Sequence, residues 1–387
     1  MSQAVRAAPK TEKLETNPYR FWAARFWHGM LASAWFRLLA KHRFRVSISR
    51  IGLATTISNA SICNSLGRPL QSLIFGRRIA KTQIKDAPIF IIGHWRSGTT
   101  LLHELLVLDS RFTYPTTYEC FVPNHFLISK RIVSKMRFLL PAQRPMDGVV
   151  MGWDRPQEDE FALCNMGIPS PYLKMAFPND ENDYQQYLDF EGVSPAEIER
   201  WKHGLLHFLR AVSLRRPQRI ILKSPPHTCR IKTLLELFPD ARFVHIVRDP
   251  YVLFPSTIRL WKSLYNVQAL QNPRSEGLEK YVFACFERMY RKFDEQRELI
   301  DSSRLFEVRY EDLVSQPIAQ MRALYQQLEL GEFEQVLPRL EDYWASARDY
   351  KPNKYHEPDP DLRAQIDHRW GPFMQRYGYC QQPVAAD

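Results

Sequence analysis

From residue 88 onward, short runs of consecutive apolar residues each lead into a stretch with helical spacing. "PIFIIG" precedes "TTLLHELLVLD", "RIILKSP" precedes "CRIKTLLELFPD", "ARFVHIVRDP" precedes "FPSTIRLWKSLY", and "RLFEVRYEDL" precedes "IAQMRALYQQLEL". Strands that are apolar on both faces, each followed by a helix, predict a parallel sheet covered on both sides. The expected fold is α/β, with a central parallel sheet between helical layers. Residues from about 112 to 215 break this rhythm with segments rich in proline and aromatics, such as "YPTTYECFVPNHF" and "WDRPQEDEFALCNMGIPSPY". In an open α/β sheet, insertions of this kind shape the substrate side.

Ahead of residue 88 the pattern changes. "FWAARFWHGMLASAWFRLLAKHRFRV" mixes aromatics with arginine and lysine at roughly helical spacing, and residues 51–67 hold no charge but many Ser, Thr and Asn. That stretch is too short and too polar for a membrane span. Two readings stay open for residues 1–87: helices packed on the following domain, or an interfacial amphipathic segment with basic edges. Periodicity does not separate a core-facing stripe from a lipid-facing one. The chain thus divides into an N-terminal helical segment, 1–87, and a domain over 88–380.

The 387 residues are 45% hydrophobic and 25% charged, as in folded proteins, and carry a net charge of +11. That charge points to an anionic partner: nucleic acid, a membrane surface or a phosphorylated small molecule. The six cysteines (63, 120, 164, 229, 285 and 380) stand singly, which argues against structural zinc and fits a reducing compartment. "MSQAVRAAPKTEKLE" lacks an apolar signal core. The expected location is therefore cytoplasmic, at the inner membrane face if the first segment is interfacial.

In "GHWRSGTT" (residues 93–100), Gly93 and Gly98 stand as in the phosphate loop G-x-x-x-x-G-K-[ST], but Thr99 replaces the lysine. A strand, a glycine loop and a helix start aim backbone N–H groups at an anion. Here the cation is Arg96, inside the loop beside His94 and Trp95, while Ser97, Thr99 and Thr100 supply hydroxyls. Such a loop suits a phosphate but lacks the handle for a γ-phosphate or its metal. A second anion site follows in "FVHIVRDPYVLFPSTIRLW": Arg248 ends a strand, and Ser256 comes eight residues later near a helix start. Both would face the crevice at the strand ends. The plainer reading of Arg248 is a turn in which it pairs with Asp249. Two phosphate sites on neighbouring strand ends point to a nucleotide phosphorylated at two places.

That combination resembles the sulfotransferases that use 3′-phosphoadenosine 5′-phosphosulfate (PAPS). It is most similar to the bacterial type and, at greater distance, to the tyrosylprotein sulfotransferases. The likeness spans roughly residues 88–380 and includes "LKSPPHTCRIKTLLELFPDARFVHIVRDP", "VRYEDLVSQP" and "RYGY". It implies a P-loop-type three-layer fold. The 93–100 loop would hold the 5′-phosphosulfate, and Arg248 with Ser256 the 3′-phosphate. PAPS carries no γ-phosphate and needs no metal, so the missing lysine has no task. Two departures stand out: soluble animal members carry lysine where Arg96 stands, and their C-terminal G-x-x-G-x-x-K segment has no counterpart here. Lys351 and Lys354 are candidates for the contacts it would make.

Sulfonate transfer is an in-line displacement by an acceptor hydroxyl or amine, in which positioning and charge stabilisation dominate. Arg96 and Lys223, the latter matching the tyrosylprotein branch, are the candidate cations. By the same resemblance Glu119, shortly after the first helix, is the expected base. Rivals are the run Glu158-Asp159-Glu160 and the histidines His94, His103 and His227, although the acidic knot from 154 to 160 also suits capping a helix or holding loop arginines. "FVPNHF" and "MGIPSPYLKMAF" promise an aromatic cleft for a lipid-like alcohol, with carbohydrate or peptide acceptors open. The competing functions are a P-loop kinase, which Thr99 disfavours, and a non-catalytic membrane-associated binding protein. No nucleic-acid recognition motif accompanies the charge.

Overall fold

The computed structural model describes residues 23–133, 135, 137–141, 143, 150–181, 184–346 and 358–380. Five parallel strands form one sheet: β1 (Ile89–Ile92), β2 (Phe112–Thr113), β3 (Arg219–Lys223), β4 (Arg242–Val247) and β5 (Leu305–Arg309), in the order β2-β3-β1-β4-β5. β1 sits in the middle, with Ile91 opposite Lys223 on one side and Val244 on the other. The apolar runs are strands because both their faces are covered. Phe90, Ile92, Ile220, Leu222 and Phe243 join the core on one side, and Ile89, Ile91, Ile221, Val244 and Ile246 the core on the other. The result is the expected three-layer α/β arrangement.

β2 lies inside the stretch that reads as an interruption. It is two residues long, too short for any periodic signal, yet Phe112 and Thr113 pair with Arg219 and Ile220 at the sheet edge. The rest of the insertion contributes short helices at Thr117–Phe121 and Asp159–Asn165 and a long one at Pro195–Ser213, where Ser194 caps the Glu197 N–H and proline stands in the first turn.

The N-terminal helices Ala32–Lys41 and Ile51–Lys81 share the larger core. Trp27 and Trp35 are fully buried, as is Ile57. Trp27 Nε1 donates to the Gln268 carbonyl at 2.8 Å, Arg25 Nε donates to the Val267 carbonyl at 2.8 Å, and Phe26 stacks on Phe161. Residues 25–27 thus clasp the end of the helix Pro250–Gln268. Among the described residues, no helix is long and apolar enough to cross a membrane.

Candidate active site

The strand ends converge on the loop after β1. Gly93 has φ +143°, and a Cβ there would stand 2.4 Å from the Ile246 carbonyl oxygen of β4. Gly98 has φ +106°, with the Tyr310 ring 2.5 Å from where a Cβ would be. Both positions therefore need glycine. Arg96 also takes a left-handed conformation (φ 71°), a cost that a packed loop must offset. Side chains within the loop lock it. The Ser97 hydroxyl donates to the His94 carbonyl at 2.8 Å, and the Gly93 N–H donates to Thr228 Oγ1 at 2.8 Å.

The predicted ligands of this loop divide into two groups. Arg96, Gly98 and Thr100 are half-buried, whereas Gly93, Ser97 and Thr99 are buried. His94 turns into the core, its Nδ1 on the Trp95 carbonyl and its ring against Trp95 and Phe286. Burial holds its pKa down at about 4, so the imidazole is neutral and packs inside the fold. Trp95 reaches the other way, donating its indole N–H to the Tyr172 hydroxyl at 3.1 Å.

The second anion site adjoins the first. Arg96 Nε donates to Ser256 Oγ at 2.9 Å, and Arg248 Nη1 donates to the Arg96 carbonyl at 3.2 Å. Arg248 lies 4.2 Å over the Tyr310 ring. Its neighbour Asp249 caps the next helix by accepting the Tyr251 N–H, so the plain Arg-Asp turn is replaced by a helix cap. Two guanidinium groups and a serine hydroxyl thus sit together at the ends of adjacent strands. These are donors suited to phosphate oxygens.

The acidic run divides by direction. Glu158 meets the last residue of β3, and Asp159 and Glu160 each meet a group from the segment after it. Asp159 bonds His227 and Ser224, and Glu160 forms a fully buried pair with Arg230 at 2.7 Å. Burial would raise the Asp159 pKa, but His227 and Ser224 outweigh it and hold it low. Glu158 faces the crevice, with Oε1 2.6 Å from Lys223 Nζ. The Tyr172 hydroxyl donates to its other oxygen. Burial, then the Glu158 charge, push the Tyr172 phenol well above its ordinary pKa, so it stays a donor.

Glu119 is elsewhere. Its carboxylate accepts the Thr116 N–H at 2.9 Å and pairs with Arg216 at 2.6 Å, and it is 2% exposed. It is the closing residue of a capping box, Thr116-x-x-Glu119, a local signal that accounts for it without catalysis. The structure thus gives Glu119, the expected base, a structural role, while Glu158 is the carboxylate that lines the pocket. The histidine rivals are buried too: His227 is bound to Asp159, and burial with the Lys223 charge pushes His103 down to about 3. Lys351 and Lys354 lie outside the described residues.

Beside Glu158 a pocket of about 700 Å³ opens to solvent. Phe26, Trp95, Phe161, Met175, Trp261 and Leu264 make its walls, with Gln157, Glu158, Ser263 and Gln268 as polar points. Sequence reasoning missed Tyr172 and Trp261, which read as ordinary apolar positions. Among the described residues, no cluster of three or more His, Cys, Asp or Glu side chains could hold a metal ion.

Comparison with known proteins bears on this geometry. The profile described as "Sulfotransferase family" matches residues 88–335. The omega-hydroxy-beta-dihydromenaquinone-9 sulfotransferase Stf3 of Mycobacterium bovis is 50% identical over 361 residues, covering 93% of each chain. Among solved structures, sulfotransferase STF9 of Mycobacterium avium superposes with a TM-score of 0.67 at 19% identity, over 90% of this chain and 96% of its own. Sulfotransferase STF1 of Mycobacterium tuberculosis H37Rv gives 0.63 at 16% identity, over 91% and 94%. These two likenesses are of fold.

Proposed function

The chain belongs to the sulfotransferase family, an enzyme family that transfers sulfonate from PAPS, and on that premise we propose that this site sulfonates the hydroxyl of a lipid-like alcohol. The observation that carries the acceptor class is the aromatic and aliphatic pocket that ends at the Glu158–Lys223 pair. Such walls gain from burying a hydrocarbon chain and leave sugar hydroxyls without partners. The Mycobacterium bovis relative is named as a sulfotransferase of an omega-hydroxy menaquinone derivative, which is of the same chemical kind.

PAPS, when bound, supplies an activated sulfonate and a phosphate leaving group. The residues suit it: the glycines at 93 and 98 permit a close backbone approach, and Arg96, Arg248 and Ser256 converge as phosphate donors. Glu158 accepts the proton of the acceptor hydroxyl. Tyr172, held by Trp95 of the loop, fixes the carboxylate's direction. Lys223, 2.6 Å from Glu158, offers positive charge where negative charge develops.

The test pairs two measurements. Calorimetry should show metal-independent binding of 3′-phosphoadenosine 5′-phosphate in preference to ATP–Mg²⁺. Turnover with PAPS should favour long-chain primary alcohols over sugars and tyrosine peptides. Equal turnover of a disaccharide would remove the lipid-like acceptor.

A further inference from the structure

The helix Ile51–Lys81 has one face turned inward and another left bare. Ile57, Ser61, Asn64, Gln71 and Ile79 are buried, and Asn64 and Gln71 are bonded into the fold: Asn64 Nδ2 donates to the His28 and Met30 carbonyls, and Gln71 Oε1 accepts the Leu127 N–H. On the far side Ile62, Leu66, Leu70, Leu73 and Ile74 are exposed, Leu66 by 72% and Leu73 by 85%. At about 100° per residue these five fall within roughly 120° of the circumference, opposite the buried set, along about 18 Å of helix. Single exposed leucines are ordinary; a continuous stripe of them marks an interaction surface.

The charge around the stripe has one sign. Residues 16–85 hold 12 Lys and Arg and no Asp or Glu. Arg77, Arg78 and Lys81 follow the stripe within two turns. An identical copy would bring the same basic rim against itself, which selects against self-association.

We propose that this face docks on an anionic lipid surface, with Leu66, Leu70, Leu73 and Ile74 in the headgroup–acyl boundary and the basic residues on lipid phosphates. The face is tied to the pocket: the carbonyls of His28 and Met30 hold this helix through Asn64, and the same short segment carries Phe26, a pocket wall. The inference deepens the lipid-like acceptor reading and rests on it for the direction of acceptor entry alone.

The experiment is flotation of the full chain with vesicles of phosphatidylcholine, with or without about one-third phosphatidylglycerol. The chain should float with the anionic vesicles and be released as salt rises. A Leu66→Asp/Leu73→Asp variant should lose vesicle partition about 10-fold or more. Its affinity for 3′-phosphoadenosine 5′-phosphate and its turnover of a short soluble alcohol should be unchanged. Absence of flotation at low salt overturns the proposal, as does a double variant that floats like the wild type. A dimeric wild type turned monomeric by the double substitution assigns the stripe to a second copy and also overturns it. Flotation without turnover of any long-chain alcohol upholds the face and removes only the acceptor class.

Discussion

Arg96 and Ser256 lie 160 residues apart in the chain and meet at 2.9 Å, joining the loop after β1 to the helix after β4. Arg248 closes the group from the Arg96 carbonyl. Arg248→Ala should therefore cost about 1.5–3 kcal/mol of binding to 3′-phosphoadenosine 5′-phosphate, the range for a hydrogen bond to a charged group. Calorimetry beside 5′-AMP locates the effect. The loss should fall on the 3′-phosphorylated nucleotide, and an equal loss for 5′-AMP would detach Arg248 from the 3′-phosphate.

Glu158→Gln keeps the shape of the acid and removes its basicity, so turnover should fall about 100-fold or more while nucleotide affinity is retained. Glu119→Gln should act on stability. It weakens the pair with the half-buried Arg216 and should lower the melting temperature, with turnover close to wild type. If Glu119→Gln abolished turnover at unchanged melting temperature, the base would move back to Glu119.

Tyr172→Phe deletes a donor to Glu158 and an acceptor for Trp95. With the carboxylate no longer fixed in direction, kcat should fall roughly 10-fold, the size of one such bond, while nucleotide affinity is retained. A kcat at the wild-type value would mean that Tyr172 serves packing alone.

Acid stability has an identifiable source away from this site. Burial would raise the Glu307 carboxyl, but His245, Tyr377 and Arg297 outweigh it and hold it at about 2, below the ordinary 4.5. A depressed carboxyl stabilises the fold above its unfolded pKa, and that stability drains away as pH falls from 4.5 to about 2. The buried His245 is also pushed down, so its protonation adds destabilisation below 6.5. Melting temperature against pH should decline through both ranges. Glu307→Gln should flatten the lower one, and an unaltered slope there would place the acid lability in other carboxylates.

Much of this architecture is legible in single runs of sequence. The β1, β3, β4 and β5 strands announce themselves because both faces are buried, and Gly93, Arg96 and Arg248 sit at fixed offsets from strand ends. Glu158 is not legible in this way. Glu158, Asp159 and Glu160 are chemically alike neighbours, and what separates them is the direction each takes at a helix start, which places one on Lys223, one on His227 and one on Arg230. Those partners lie on a segment more than 60 residues away in the chain. Glu119 has a local account instead: it closes a capping box, and its apolar neighbours Tyr118, Cys120 and Phe121 pack into the core.

The helix Pro250–Gln268 holds Ser256 against Arg96 near its start, and further along it presents Leu260, Trp261, Leu264 and Gln268 to the pocket. On the reading proposed above, one rod acts as a gauge between the phosphate donors and the acceptor pocket. The marks at 256, 261 and 264 are separated by about 7 and 12 Å from the first, at 1.5 Å per residue. Exchanging side chains at 260, 261 or 264 alters what the pocket accepts and leaves the gauge intact. Adding or deleting one residue between 256 and 261 swings the wall by about 100° relative to Ser256. Acceptor preference in such a chain is free to drift by substitution, whereas a change of length in those few residues breaks the alignment of the two substrates.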